Sequence, residues 1–166
     1  MHSRAQKPCE APMRPIGIEH VAVRPDRIVA DVRVGDERYA STSPALVAAA
    51  LRRFPHLLSH ACVNGKGSTF AAVADDTSIV HLLEHMVIEE QVRIGGEGPV
   101  YVGKSVWIDR RRLRGRVEVS YVDDLVALRA LKAAQEWLRK ERLRAMSGHP
   151  AAQDRRLQWH INSVRS

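Results

Sequence analysis

The spacing of hydrophobic positions changes several times along the chain, and each change marks an element. From Ile16 to Arg24 apolar residues recur at alternating positions, and Pro25-Asp26 makes a turn. Arg27 to Val34 alternates again, with Ile28, Ala30, Val32 and Val34 on one face and Asp31 and Arg33 on the other. A period of two on both sides of a turn predicts a β-hairpin. Gly35-Asp36 is a second turn. Ser43-Pro44 is a helix start, with a capping hydroxyl ahead of a residue that lacks the N–H a first turn cannot satisfy. The helix runs from Ala45 through Leu51 and ends before Pro55. Asn64-Gly65-Lys66-Gly67-Ser68 is too short for a phosphate-binding loop and reads as a turn or a rim loop.

A second helix is predicted from about Ser78 to Arg93, capped through Asp76-Thr77-Ser78. Its apolar residues Ile79, Val80, Leu82, Leu83, Met86, Val87 and Ile88 occupy most of its circumference, which predicts burial. Gly95-Gly96-Glu97-Gly98-Pro99 stops it. Val100–Ile108 and Arg116–Val122 read as two strands joined by a basic turn. Leu125–Met146 is the longest helix, with Leu125, Leu128, Leu131, Leu138 and Leu143 as its apolar stripe and Gly148 and Pro150 as its end. Residues 1–15, broken by Pro8, Pro12 and Pro15, are expected to be a flexible leader. Residues 16–146 form one domain and 147–166 a tail carrying Trp159 and His160. The order ββααββα predicts an α+β fold, an antiparallel sheet with packed helices.

The chain has 166 residues, 45% of them hydrophobic, enough for one core. No apolar run approaches the ~20 residues of a membrane span. The N-terminus lacks a signal pattern, so the expected location is cytoplasmic. Cys9 and Cys62 give no disulfide framework. Cys62 reads first as a small buried residue, with metal ligation or nucleophilic chemistry beside His60 as the alternative. The net charge is +7, and arginines crowd the Arg110–Arg116 turn. Such a cluster can meet nucleic acid, an acidic polymer or a membrane surface. A solvated connection between strands fits as well. Aromatic residues are 5% of the chain and are not interleaved with the arginines, so nucleic acid is not the expected partner.

The segment His81-Leu82-Leu83-Glu84-His85 carries the chemistry. Positions i, i+3 and i+4 share a helical face, so His81, Glu84 and His85 project together. Two neutral imidazoles can hold a divalent metal while the carboxylate handles a proton. The order His-x-x-Glu-His is that of inverzincin-type zinc hydrolases. On a buried helix these groups, left unpaired, would each cost on the order of 1–3 kcal/mol, and a metal satisfies them together. Zinc is the expected cofactor, with His81 and His85 as ligands. A catalytic zinc takes a third protein ligand. Glu118, an acidic residue among strand valines, is the first candidate. Glu89, one turn beyond His85, could instead ligate or orient His85. Glu84 is the expected general base. Asn64, Lys66 or a backbone N–H of the Gly65–Gly67 loop could hold the oxyanion.

At these residues the chain resembles the N-terminal domain of cyanophycin synthetase. That family's helix reads His-x-x-Glu-His-Val-Ala-x-Glu-Leu-Gln, and here the stretch is His81-Leu82-Leu83-Glu84-His85-Met86-Val87-Ile88-Glu89-Glu90-Gln91. His60-Ala61-Cys62 and the loop after it are similar to the family's His-x-Cys and glycine-rich segment, and Thr77 falls where the family has a threonine. Val117-Glu118-Val119-Ser120-Tyr121 is similar to its Phe-Glu-Tyr-x-Tyr strand, with Asp123-Asp124 following. The likeness covers roughly residues 40–140. Glu90 departs from it, standing where the family has an apolar residue.

The resemblance implies a domain that binds an Asp–Arg polymer and, in some members, carries a zinc-peptidase-like site that trims it into primers. The two ligase domains that accompany it in that family are not in this sequence, so polymer synthesis by this chain alone is not expected. The expected function is zinc-dependent hydrolysis of peptide or isopeptide amides, with a peptide or Asp–Arg-type polymer as substrate. The alternative is a non-catalytic module that binds polymer or a partner, with a structural or vestigial metal site. A homo-oligomer is compatible with either.

Overall fold

The computed structural model describes residues 14–96 and 100–147. Cys9, Gly98, Pro99, Gly148, Pro150, Trp159, His160 and nearly all of the expected leader and tail lie outside the described residues. Four strands, β1 (Ile16–Val23), β2 (Arg27–Val34), β3 (Gly103–Asp109) and β4 (Arg114–Ser120), form one sheet in the order β1-β2-β4-β3. Every neighbouring pair is antiparallel. Three helices complete the fold: α1 (Pro44–Leu51), α2 (Ile79–Gly95) and α3 (Asp124–Met146). The class is the expected α+β. The expected succession is interrupted among the described residues by four short 3-10 turns, one before α1 and three between α1 and α2.

Alternation in the strands sets the two faces of the sheet. Ile28, Ala30, Val32 and Val34 of β2 and Val117 and Val119 of β4 are buried on the face that α2 and α3 cover. The opposite face is charged, with Arg116 donating to Asp31 at 2.8 Å and Arg114 to Glu19 at 2.9 Å. Each helix begins where a side chain satisfies a free N–H. Ser43 accepts from Leu46, Ser78 from His81 and Asp123 from Val126. α2 is the central element, with Ile79, Val80, Leu82, Leu83, Met86 and Val87 essentially inaccessible. Burying side chains of this size contributes roughly 1.5–3 kcal/mol each. Ala127, Ala130 and Ala134 on the buried side of α3 keep that helix close to its neighbours.

α2 also sits close on the sheet, because two inner-face positions are glycines. A Cβ at Gly115 would lie 2.6 Å from Val80 Cγ2, and one at Gly103 would lie 2.6 Å from Glu84 Oε1. The first thus admits the helix, and the second leaves room for a carboxylate. Strand bounds differ from expectation at both ends of this hairpin. β3 starts at Gly103, since Val100 and Val102 are exposed. β4 starts at Arg114, because the connection closes in a tight turn with Leu113 at φ 53°. A left-handed leucine costs about 1–2 kcal/mol. Asp109 offsets part of this by accepting from the Arg112 N–H at 3.0 Å.

Candidate metal centre

α2 presents one polar stripe, and it carries the motif. His81, Glu84, His85 and Glu89 leave the helix on this side, while the apolar residues around them lock its rotation. Facing the stripe is the segment His60–Phe70. Its ends are tied by the Ala61–Thr69 bridge, by Cys62 N–H donating to Ser68 at 3.0 Å and by Phe70 N–H donating to His60 at 2.9 Å. Asn64 fastens the loop inside: its amide oxygen accepts from the Lys66 and Gly67 N–H groups, both at 2.8 Å, and its NH2 donates to the Cys62 and Thr69 carbonyls. Two residues apart on this chain segment, His60 and Cys62 both reach α2.

The result is a compact donor set. The Nε2 atoms of His81 and His85 are 3.1 Å apart, and Cys62 Sγ is 3.3 Å from His81 Nε2. One donor atom from each of Cys62, His81 and His85 lies within 4.8 Å of the others. Zinc–nitrogen bonds near 2.05 Å and zinc–sulfur bonds near 2.3 Å in a tetrahedron put nitrogens about 3.3 Å apart and sulfur about 3.6 Å from nitrogen. The His81–His85 and Cys62–His81 separations are close to those values, so the cluster could hold a four-coordinate ion with a fourth position for a small molecule. On the far side of the rings, His81 Nδ1 is 2.9 Å from Thr77 Oγ1, and His85 Nδ1 is 3.4 Å from His60 Nδ1. Phe70 backs both imidazoles, with ring centroids 5.2 Å from His81 and 4.3 Å from His85.

Electrostatics favour neutral donors. Burial lowers the pKa of His81, and burial with the neighbouring His81 and His60 rings pushes His85 down to about 3. Neutral imidazoles have a lone pair to give, so two Nε2 atoms at 3.1 Å either share a proton or face a cation. Glu84 is pushed the other way, its pKa raised by burial while a 2.6 Å hydrogen bond from Ser105 works against the rise. A carboxylate tuned upward has the direction expected of a group that exchanges protons near neutral pH. Cys62, His81, Glu84 and His85 all line a cleft of about 770 Å³ between the 61–68 loop, α2 and β3.

Of the residues singled out in the sequence, the structure brings His81, Glu84 and His85 together and leaves Glu118 apart. Glu118 sits between the buried Val117 and Val119, so β4 turns it to the outer face, where it meets Arg27 at 3.5 Å. Cys62, not Glu118, stands beside the two imidazoles. The signal for it was the His-x-Cys spacing, which an extended segment converts into two side chains on one side. Glu89 bypasses the imidazole pair, accepting from the His56 N–H at 3.0 Å and standing 3.6 Å from His60 Nε2. Of the expected oxyanion donors, the Asn64 amide and the Lys66 and Gly67 N–H groups are engaged within the loop itself.

Four of the five arginines of the basic turn have acidic partners. Arg110 pairs with Glu37, Arg112 with Asp109, Arg114 with Glu19 and Arg116 with Asp31. No described helix is long and apolar enough to cross a membrane.

No curated protein and no solved structure matches the chain. The family model of the cyanophycin synthase-like N-terminal domain matches residues 18–140, which takes in most of β1, the other three strands, the donor set and most of α3. With well over half of its length matched, the chain belongs to the cyanophycin synthase-like N-terminal domain family.

Proposed function

We propose that this chain is a metal-dependent hydrolase of peptide or isopeptide amide bonds, with Cys62, His81 and His85 holding a zinc ion and Glu84 as the general base. The observation that carries this reading is the pair of imidazole Nε2 atoms 3.1 Å apart beside the Cys62 thiol, on the wall of an open cleft. A bound zinc ion supplies a Lewis acid that polarises a carbonyl and makes a nearby water acidic. Cys62, His81 and His85 hold the ion, and Thr77 and His60 fix the two rings from behind. Glu84, on the same stripe of α2, takes a proton from water and returns it to the leaving amine. Ser105 orients the Glu84 carboxylate through its 2.6 Å hydrogen bond. The cleft along β3 is large enough for a chain segment, and family membership points to an Asp–Arg-type polymer or a related peptide as substrate. A thiol ligand suits the reducing cytoplasm, the compartment this reading assigns.

The test combines metal analysis with hydrolysis. The purified protein is expected to carry about one zinc per chain, and to lose it in His81→Ala and in Cys62→Ala proteins that still fold. Glu84→Gln should keep the ion while amine release from an Asp–Arg polymer drops about 10²- to 10⁴-fold. Zinc binding with no hydrolysis of any such substrate would replace the enzyme with a polymer-binding module.

A further inference from the structure

His85 can ligate through Nε2 only when its ring proton is on Nδ1, and the neighbours of Nδ1 decide that. For His81 the corresponding atom faces the Thr77 hydroxyl, which can rotate to accept. For His85 it faces another imidazole nitrogen, His60 Nδ1, at 3.4 Å. One proton can lie between two such nitrogens. If His85 donates it, His60 must accept at Nδ1 and carry its own proton on Nε2. That nitrogen points at Glu89 Oε2, 3.6 Å away. The other oxygen of Glu89 is anchored by the His56 N–H at 3.0 Å, whereas Oε2 is buried and has no hydrogen-bond partner.

We infer that Glu89 and His60 form a positioning relay that sets the tautomer of His85. The Glu89 carboxylate draws the His60 proton to Nε2, His60 Nδ1 then accepts from His85 Nδ1–H, and the lone pair of His85 Nε2 turns toward Cys62 and His81. The inference rests on the proposed role of His85 as a ligand and deepens it. The 3.6 Å separation is an ion-pair distance, and shortening it by about half an ångström would make it a hydrogen bond and satisfy the one open carboxylate oxygen. Nothing else among the described residues offers Oε2 a hydrogen bond. Glu89 therefore acts one step removed from the ion, through a histidine on the facing segment. Groups of this kind behind a ligating histidine typically change metal affinity about 10- to 100-fold.

Zinc affinity, measured by competition with a chromophoric chelator, tests the relay. Glu89→Gln and His60→Ala should each weaken zinc binding about 10- to 100-fold. Combining them should be no worse than His60→Ala alone, because Glu89 acts only through His60. His60→Asn, whose amide oxygen can still accept from His85, should retain more affinity than His60→Ala. It also keeps the test usable if the alanine variant unfolds. Additive losses, or wild-type affinity in Glu89→Gln, would overturn the relay. Imidazole nitrogen NMR of the metal-free protein gives a second readout: His85 should be the Nδ1–H tautomer in wild type and shift toward Nε2–H in Glu89→Gln. If wild type takes up no zinc, the metal reading fails, and the tautomer measurement still decides the relay.

Discussion

Replacing Gly103 by alanine should disable the site without touching the ligands. Glu84 has room for its carboxylate only because residue 103 has no side chain. A Cβ there would lie 2.6 Å from Oε1, 2.7 Å from Cγ and 2.9 Å from Cδ of Glu84, where ordinary contact begins at 3.4 Å. The carboxylate must therefore retreat by about 0.8 Å, the difference between 3.4 and 2.6 Å. Such a retreat breaks the 2.6 Å hydrogen bond from Ser105. Overpacking of this kind costs about 1–3 kcal/mol. At about 2–4 °C per kcal/mol for a chain of this size, the melting temperature should fall by roughly 2–12 °C. On the proposed mechanism, displacing Glu84 should lower hydrolysis about 10²- to 10⁴-fold. Zinc content should stay near that of wild type, since the three nearest atoms all belong to Glu84. Melting curves, metal analysis and amine release from an Asp–Arg polymer, run on the same preparations, read the three quantities separately. A Gly103→Ala protein that melts and cleaves like wild type would refute the steric reasoning, and one that loses its zinc would place Glu84 among the ligands.

Three further outcomes are expected. Cys62→Ala should remove zinc binding, whereas Glu118→Ala should leave it within a factor of about two, because its carboxylate meets Arg27 on the other side of the sheet; equal effects would contradict the Cys62 assignment. Burial holds His85 at about 3 in the folded protein against an ordinary 6.5, so between those values the unfolded chain binds a proton that the folded chain lacks, and stability falls as pH falls. In metal-free denaturant melts, the cost of His85→Gln should shrink by about 1 kcal/mol between pH 7 and pH 5.5, and a constant difference would show that this ring titrates normally. Glu90 is fully buried between Arg53 at 2.5 Å and Arg93 at 2.7 Å; Arg53→Met should cost about 1–3 kcal/mol. Much of that should return in the Arg53→Met, Glu90→Leu double variant, and simple addition of the two costs would argue against a coupled pair.

Much of this molecule is legible in the sequence because its signals are local. The alternation in Ile28–Val34, the Ser43-Pro44 start and the apolar circumference of Ile79–Ile88 each follow from residues within a few positions of one another. They place β2, α1 and α2 within a residue or two of where they form. The pairing of His81 with His85 is legible for the same reason, since one helical turn fixes it. The residue that stands beside them is not local. Cys62 and Glu118 are both plausible by residue type, and only the strand's parity separates them: Val117 and Val119 face the helices, so Glu118 cannot. The same parity marks Asp31 and Arg116 as partners across the outer face, which turns a run of arginines into a set of paired charges. The 3-10 turns between α1 and α2 escape a reading by period, being shorter than the windows in which a period shows. They nonetheless frame the loop that supplies Cys62, one turn before it and two after it.

The donor set is divided between a rigid part and a fastened one. His81 and His85 ride on one helix whose rotation the core forbids, so they stand ready together. Cys62 arrives on a loop tied at its ends by backbone hydrogen bonds and fastened inside by the Asn64 amide. An ion held here would then have an itinerary: captured first by the imidazole pair, locked afterwards by the thiol, and released in the reverse sequence. How tightly it is held would be decided mainly by α2. How quickly it comes and goes would be decided by the ties that hold the Cys62 loop, Asn64 among them, none of which touches it.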